Sequence, residues 1–495
     1  MADMSFGVDN FQQLNKACEI GKKLFYKECT TTTMDDAKEL GLNGSDHGTA
    51  IMAEVQTNAR GAKNNKWSAL HTGNIFVSII LHKTKLEQGY ISRFTTEVAA
   101  SLAVLKAVKD LGIDNVKTKY PNDLWIRGHK LAGFLLEEVM FDIDGSIPLK
   151  HLAILGIGLN VNSDIWGEPG LSRLATSIRC ELHGKYVSRE KLFAQICFNL
   201  EENLKKRQSE LFSEFCEHHL FQPGQQIMVN SLRDKKHFKA EILEFKDNWN
   251  FRLKCEGSEE IIENNSTYYS LRPIPSHVIY IIRNGGHDKT SSSLLLMEIF
   301  LSLIDTTQYT VKYLNLHDIQ NDDWQTYCKL VVISDNSEES DWLKSSDSLK
   351  SFVNNGGRLL TMGQSSSVFP ITQQFVAKTN NNLDDGGGLK LIEVELGGKN
   401  FAQKIPLCYR DTYYSFNTET SDQILAKYND AQNHVAMVTK QYGQGRICMC
   451  GFNPEINYIN VDNFSGTIPF HKELEENVFL QDLLFFNIFK SLDCY

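Results

Sequence analysis

The stretch running from Lys119-Tyr120-Pro121-Asn122-Asp123 to Lys130-Leu131-Ala132-Gly133-Phe134-Leu135-Leu136-Glu137-Glu138 constrains the fold more than any other. Proline fixes its own backbone and lacks a donor, so Pro121-Asn122-Asp123 reads as a polar turn. The pattern predicts an edge strand over residues 120–127, a bend at Gly128 and a buried strand over residues 131–136. Asp123 and Lys130 then flank one hairpin and can point into one cleft. On spacing alone, the commoner reading is a solvated pair on an ordinary hairpin.

The first 220 residues alternate helix-like and strand-like segments. Residues 30–40 read as the start of a threonine-capped helix, with Asp35, Asp36 and Glu39 in its early turns. Residues 50–56 and 75–81 read as strands. Residues 93–111 have helical apolar spacing and stop at Gly112. Residues 152–161 form an apolar run broken by Gly156 and Gly158, and 189–221 read as one long amphipathic helical stretch. Short alternating segments at 226–229, 238–244, 251–253 and 260–262 predict a small barrel, followed by a stiff Pro273-Ile274-Pro275 linker. From 277 onward the pattern restarts: strands at 278–282, 310–314, 330–334 and 358–362, a Gly-Gly turn and a helix at 291–304. This implies a second, open parallel sheet. The Asn- and Gly-rich residues 379–388 read as a flexible surface loop.

A length of 495 residues suggests two to four domains. The net charge of -10 is uneven: from Pro275 onward there are 17 Lys+Arg against 26 Asp+Glu, and before it 34 against 35. Neither half is basic, which argues against a nucleic-acid surface. The 11 cysteines are dispersed and include no C-x-x-C. Cys448 and Cys450 sit in an apolar strand-like run and read as core thiols. Such a set fits a reduced, intracellular chain. The start, Met1-Ala2-Asp3-Met4-Ser5, carries no basic-then-apolar signal. Residues 294–304, the longest apolar helical candidate, are too short to span a bilayer. The expectation is a cytoplasmic protein, comprising the whole chain, with no membrane and no nucleic-acid partner.

The hairpin segment resembles the signature of biotin protein ligases: Lys-Trp-Pro-Asn-Asp, then Lys-Leu-Ala-Gly and an apolar run ending in Glu. Here Tyr120 replaces the Trp, and Lys130 to Gly133 and Glu137 match. Four further segments resemble the family in order. Thr32-Thr33-Met34 opens a helix whose hydroxyls and N–H groups can hold the ureido ring of biotin. Gln56 ends the strand that contacts biotin. Ala59-Arg60-Gly61-Ala62-Lys63-Asn64, before Trp67, resembles a Gly-Arg-Gly-Arg loop that surrounds phosphate oxygens. Ala59 and Ala62 depart from that pattern, and Lys63 is expected to substitute partly as a point charge. Gly156-Ile157-Gly158-Leu159-Asn160 resembles the strand passing under the nucleotide. Ser270-Leu271-Arg272 ends a segment resembling the family's SH3-like cap.

The resemblance implies an α+β chain: a class II synthetase-like mixed sheet over 1–221, an SH3-like barrel over 222–274, and a further domain over 277–495. It implies that biotin's carboxylate attacks the α-phosphate of ATP, and that a lysine of a carboxylase carrier domain then takes the biotinyl group from the adenylate. Lys130 and Asp123 are the implied catalytic pair. Biotin falls to Thr32, Thr33, Met34, Gln56, Arg60, Gly61, Ala62, Lys130, Gly133 and Leu135. The nucleotide falls to Arg60, Lys63, Trp67, Asn122, Lys130, Gly156, Gly158 and Asn160. Mg2+ is expected with ATP, but no carboxylate cluster names its ligands. Lipoate ligases share the fold but use an Arg-Arg-x-Ser-Gly-Gly-Gly-like loop, absent here. Only about thirty residues precede Thr32, too few for a winged helix, so DNA binding is not expected. Ligation of another short acyl acid and a regulatory pseudoenzyme remain the alternatives.

Residues 277–495 resemble, more loosely, the class-I glutamine-amidotransferase-like (flavodoxin-like) domain attached to eukaryotic biotin ligases. A working amidotransferase needs a Cys on a strand-to-helix elbow and a His held by a Glu. The elbow here runs Gly356 to Ser365, with Gly363 at about the Cys position. Phe452-Asn453-Pro454-Glu455 stands for Phe-His-Pro-Glu, keeping only the Glu. Ser365, Ser366 and Ser367 lie nearby without a visible base, so a non-catalytic module is expected.

Overall fold

The computed structural model describes residues 5–61, 67–82, 93–141, 150–163, 175–233, 235–264, 269–283, 292–315, 318–319, 322–334, 346–363, 365–368, 372–381, 390–396, 404–409, 412–419, 422–429, 434–452 and 478–494. The chain divides into two compact units, Met1–Ile274 and Pro275–Tyr495.

The first unit is built on strands β1 (Leu24–Thr30), β2 (Ala50–Gln56), β3 (Ile75–His82), β4 (Val116–Lys119), β5 (Asp123–Ile126), β6 (His129–Phe141) and β7 (Lys150–Leu159). Among the described residues they form a mixed sheet in the order β1-β2-β3-β7-β6-β5-β4. Only β1 and β2 run parallel. Its helices are α1 (Val8–Leu14), α2 (Thr33–Leu42), α3 (Arg93–Lys109), α4 (Ile178–Glu181), α5 (Arg189–Leu204) and α6 (Gln208–Glu217).

Strand alternation gives the sheet two faces. One face carries Val77, Ile79, Leu155, Ile157, Phe134 and Leu136, which share one core with α3 and α5. Alanines at 99, 100, 103 and 107 let α3 sit close, and two asparagines of α5 tie it down. Asn199 Nδ2 donates to the Ala103 carbonyl (3.2 Å) and Asn203 Nδ2 to that of Ala99 (3.0 Å). On the other face, Met34 and Ala37 of α2 pack on Ile51, Ile80, Leu152 and Ile154. The Thr32 hydroxyl caps α2 by accepting from Met34 N. Thr30, expected within the helix start, instead closes β1 opposite Gln56.

Two expectations change here. The predicted edge strand lies inside the sheet, because residues 116–119, upstream of the turn, add β4 outside β5. Even the outer side of β4 is occupied: Thr118 N donates to the His218 carbonyl (2.9 Å), and Leu220 N donates to that of Thr118 (2.8 Å). The long helical stretch also divides, into α5 and α6. The Glu210 carboxylate restarts the helix by accepting from Arg207 N (2.8 Å).

Strands β8 (Gln226–Ser231), β9 (His237–Phe245), β10 (Phe251–Cys255), β11 (Ile261–Asn264) and β12 (Tyr269–Pro273) form an antiparallel sheet in the order β11-β10-β9-β8-β12. Pro273 ends β12 rather than starting a linker. Ile227, Val229, Ile242, Phe251 and Leu271 extend the core of the first sheet. Tyr120 joins the two sheets. Its hydroxyl donates to the Trp249 carbonyl (2.6 Å), its ring meets Phe251 edge-on, and its N–H donates to His219 Nε2 (3.0 Å).

In the second unit, strands Tyr309–Asn315, His277–Arg283, Cys328–Ile333, Arg358–Met362 and Gly445–Cys450 lie side by side and parallel. Val435–Tyr442, Gln423–Tyr428, Lys390–Leu396 and Lys404–Tyr409 extend the sheet antiparallel. The sheet is therefore mixed, not parallel throughout. Residues 379–381, expected in a loop, end the strand Val376–Asn381, and 382–388 lie outside the described residues. Cys448 and Cys450 are buried core thiols, with burial pushing the Cys448 thiol up to about 12. No helix among the described residues is long and apolar enough to cross a membrane.

His219 makes the joint between the two sheets of the first unit sensitive to pH. Burial, and secondarily Lys119, push its imidazole down to about 4. An unfolded histidine titrates near ~6.5, so the unfolded chain takes up the proton first as pH falls. Stability is full above about pH 6.5 and falls by on the order of 3 kcal/mol towards pH 4. We expect His219→Gln to flatten urea midpoints between pH 7 and 4.5, whatever its effect on absolute stability. An unchanged slope would remove His219 from the account.

Candidate functional site

Three strands leave a bare patch on the α2 face of the first sheet. Gly133 on β6 pairs with Gly158 on β7, and Leu135 pairs with Gly156. Ser78 on β3 lies opposite Gly156, and Asp123 on β5 opposite Gly133. A Cβ on Gly156 would stand 2.7 Å from Met34 Sδ. One on Gly133 would stand 2.8 Å from Trp67 Cζ3, and one on Gly158 2.9 Å from Trp67 Cε2. Real Cβ atoms do not come that close, so a side chain at any of the three would displace Trp67 or Met34. The Trp67 indole lies on it, packed with Ala59, Ala69 and Phe76. Its N–H is buried and has no hydrogen-bond partner among the described residues.

Lys130 stands at one end of the floor. Its Nζ is 2.5 Å from Asp123 Oδ1 and 5.1 Å from the Trp67 ring centroid. The hairpin turn produces this pairing, with Arg127 (φ 50) and Gly128 (φ 83) both left-handed. Asn122 pins the preceding turn to β6: its Nδ2 donates to the Phe134 carbonyl (2.5 Å), and Phe134 N donates to the Asn122 carbonyl (2.9 Å). Asn160 has a similar bracing part. Its Nδ2 donates to the Thr176 carbonyl (3.0 Å), while Thr176 N donates to that of Lys130 (3.0 Å). A buried Arg127–Glu181 pair at 2.8 Å holds the same segment.

A buried polar cluster marks the other end. Gln56 Oε1 accepts from Thr33 N (2.8 Å) and Thr33 Oγ1 (3.2 Å), and Thr33 Oγ1 lies 2.8 Å from Ser78 Oγ. The sequence reading missed Ser78. The signal was present as the single hydroxyl in the apolar run Ile75 to Leu81, at a position facing the glycines.

Arg60 lies across the groove mouth. It donates to both oxygens of Asp35 (2.9 and 2.8 Å) and to both of Glu137 (3.3 and 3.2 Å). The hydrogen bond from Arg60 holds the Asp35 carboxyl below its ordinary range. Beneath it the loop is closed by Trp67 N donating to the Ala59 carbonyl (3.1 Å). Gly61 follows Arg60, whereas Ala62 and Lys63 lie outside the described residues. The fold thus gathers Met34, Thr33, Gln56, Leu135, Gly133, Gly156, Gly158, Trp67, Lys130 and Asp123 around one groove. Thr32 caps α2, and the amides of Asn122 and Asn160 brace the backbone around it. Among the described residues no group of three His, Cys, Asp or Glu side chains could hold a metal ion.

In the second unit, Gly363 follows the strand Arg358–Met362 with a left-handed φ of 55. Its N–H donates to the carbonyls of Cys450 (3.0 Å) and Phe452 (3.1 Å). The nearby hydroxyls face inward, Ser365 Oγ donating to the Ile333 carbonyl (2.8 Å) and Ser366 Oγ to that of Cys450 (2.9 Å). Asn453 and Glu455 lie outside the described residues.

Residues 26–160 match the model of the Biotin/lipoate A/B protein ligase family. The bifunctional ligase/repressor BirA of Bacillus subtilis is 28% identical over 182 residues, 36% of this chain and 53% of that protein. The biotin--[acetyl-CoA-carboxylase] ligase of Mycobacterium tuberculosis is 32% identical over 139 residues, 27% of this chain and 47% of that protein. The chain thus spans about half the length of the curated relatives it matches. Among solved structures, the biotin protein ligase from Aquifex aeolicus in complex with biotin and ATP is 24% identical, with a TM-score of 0.42, and covers 51% of this chain and 99% of that one. Residues 26–160 thus carry the match to the Biotin/lipoate A/B protein ligase family, and the relatives that match include proteins named as biotin ligases.

Proposed function

We propose that this chain is a biotin–[carboxylase] ligase, which forms biotinyl-5'-AMP from biotin and ATP and transfers biotin to a lysine of a carboxylase carrier domain. The observation that carries the reading is the Lys130–Asp123 pair at one end of a glycine floor whose other end is the Thr33–Gln56–Ser78 cluster. Ser78 and Gly133 are two strand spacings and two residues apart, roughly 12 Å. That span suits a neutral, hydrogen-bonding ring head with an acidic chain.

In this reading the ureido ring lies against Thr33, Gln56 and Ser78, beside Met34 and Leu135, and its chain runs along the Trp67 indole towards Lys130. The Lys130 ammonium neutralises charge that develops as the carboxylate attacks the α-phosphate and pyrophosphate leaves. The Trp67 N–H is a donor available to the ligand. Asp123 then takes a proton from the incoming carrier lysine, whose amine (pKa ~10.4) costs about 4.6 kcal/mol to present neutral at pH 7. The amine attacks the acyl carbon and AMP departs. Mg2+ enters with the ATP phosphates as part of the substrate. Residues 222–274 are read as an SH3-like cap on the ligase. Residues 277–495 are read as an amidotransferase-like module without its nucleophile, since Gly363 offers no thiol.

Four outcomes test this. Lys130→Ala lowers biotin-dependent pyrophosphate release roughly 100-fold or more, whereas Asp123→Asn retains that release and slows transfer from preformed biotinyl-5'-AMP roughly 100-fold. Adenylation of lipoate instead of biotin would favour the sister activity, and no adenylation at all a regulatory binding protein. Gly158→Ala drives a methyl into the indole, so Trp67 emission shifts and the biotin KM rises about tenfold. Residues 1–274 alone keep adenylation; a slower transfer to particular carriers then measures what 275–495 contributes.

A further inference from the structure

Asp35 and Glu137 stand on opposite sides of the groove. Asp35 is in the first turn of α2, beside Met34, whose sulfur lies on Gly156. Glu137 is on β6, two residues beyond Leu135 and on the same face. The Arg60 guanidinium spans them, bidentate on Asp35 and in contact with both oxygens of Glu137. Its root is fixed by the buried Ala59. We propose that Asp35 and Glu137 are positioning residues that hold Arg60 as a strap across the groove mouth, and that this strap sets how long biotin or its adenylate stays bound. The inference rests on the ligand reading above.

Magnitudes favour a strap that opens over a permanent lock. The side chains of Arg60, Asp35 and Glu137 are 35%, 57% and 36% exposed. Ion pairs so exposed are weak, so the mouth opens readily for entry. The planar fork still gives direction, because two donors meet two oxygens at Asp35. Removing one post frees the guanidinium. It also removes a negative charge from the mouth, and that cannot slow the approach of a carboxylate ligand. The signature is therefore faster release without slower capture, which a general loosening of the fold would not produce.

The test uses the full chain. Asp35→Asn and Glu137→Gln are each expected to raise the biotin dissociation rate three- to tenfold, with the association rate not reduced and the thermal midpoint unchanged. Neither adds anything in an Arg60→Met background, and Asp35→Glu restores most of the retention. Additive effects in that background, or unchanged release from a wild type that does bind biotin, overturn the strap. Modification of Arg60 by an arginine-selective dicarbonyl, followed by mass spectrometry without ligand, gives an independent reading. The strap predicts three- to tenfold faster modification in either post variant, and equal rates overturn it. A wild type that binds no biotin, with modification accelerated as expected, overturns the ligand reading instead.

Discussion

Three absent side chains govern the first unit. Gly133, Gly156 and Gly158 lie in neighbouring register on β6 and β7, and a side chain on any of them would push Trp67 or Met34 aside. The opposite face of the same strands is continuous hydrophobic core, with Phe134, Leu136, Leu155 and Ile157 packed against α3. One pair of strands therefore does two jobs by alternation: odd-and-even side chains bury on one side and clear a groove on the other. A groove made this way is rigid, because its floor is backbone held in a sheet.

The Lys130–Asp123 pair depends on what surrounds that floor. Lys130 and Asp123 meet because Arg127 and Gly128 turn the hairpin tightly and because Asn122 locks the turn to Phe134. The turn is anchored from outside by Tyr120, whose hydroxyl and N–H reach Trp249 and His219. The five-stranded sheet thus reaches the hairpin through Tyr120, and its Arg272 also lies over the Trp125 ring (5.6 Å). A tryptophan at position 120 has an indole N–H but no phenolic hydroxyl, so the bond to Trp249 belongs to tyrosine.

Much of this was legible from the residues. The strands at 50–56 and 358–362 were found to the residue, because their apolar runs are bounded by turn chemistry. The Lys130–Asp123 juxtaposition followed from the hairpin. What failed did so for physical reasons. The order of strands is a non-local choice, so nothing in residues 120–127 reveals that 116–119 pairs outside them. The break between α5 and α6 depends on a side chain reaching back to one backbone N–H. For Asn122 and Asn160, tertiary structure adds what composition does not show: their amides donate to the Phe134 and Thr176 carbonyls. Ser78 was visible but unweighted, since a lone serine in an apolar strand gains meaning only beside the glycines it faces.

The charged pairs divide by burial. Arg127–Glu181 and Arg189–Glu54 have side chains between 4% and 13% exposed, and they hold backbone carbonyls and neighbouring segments in place. Breaking such a pair strands a charge in low dielectric, about 3–5 kcal/mol, so these pairs are framework. Lys130–Asp123 is intermediate, at 32% and 17% exposed. Arg60 with Asp35 and Glu137 is the most exposed of the set and the cheapest to break. From the frame to Lys130–Asp123 to the rim, the strength of each ion pair falls with its exposure.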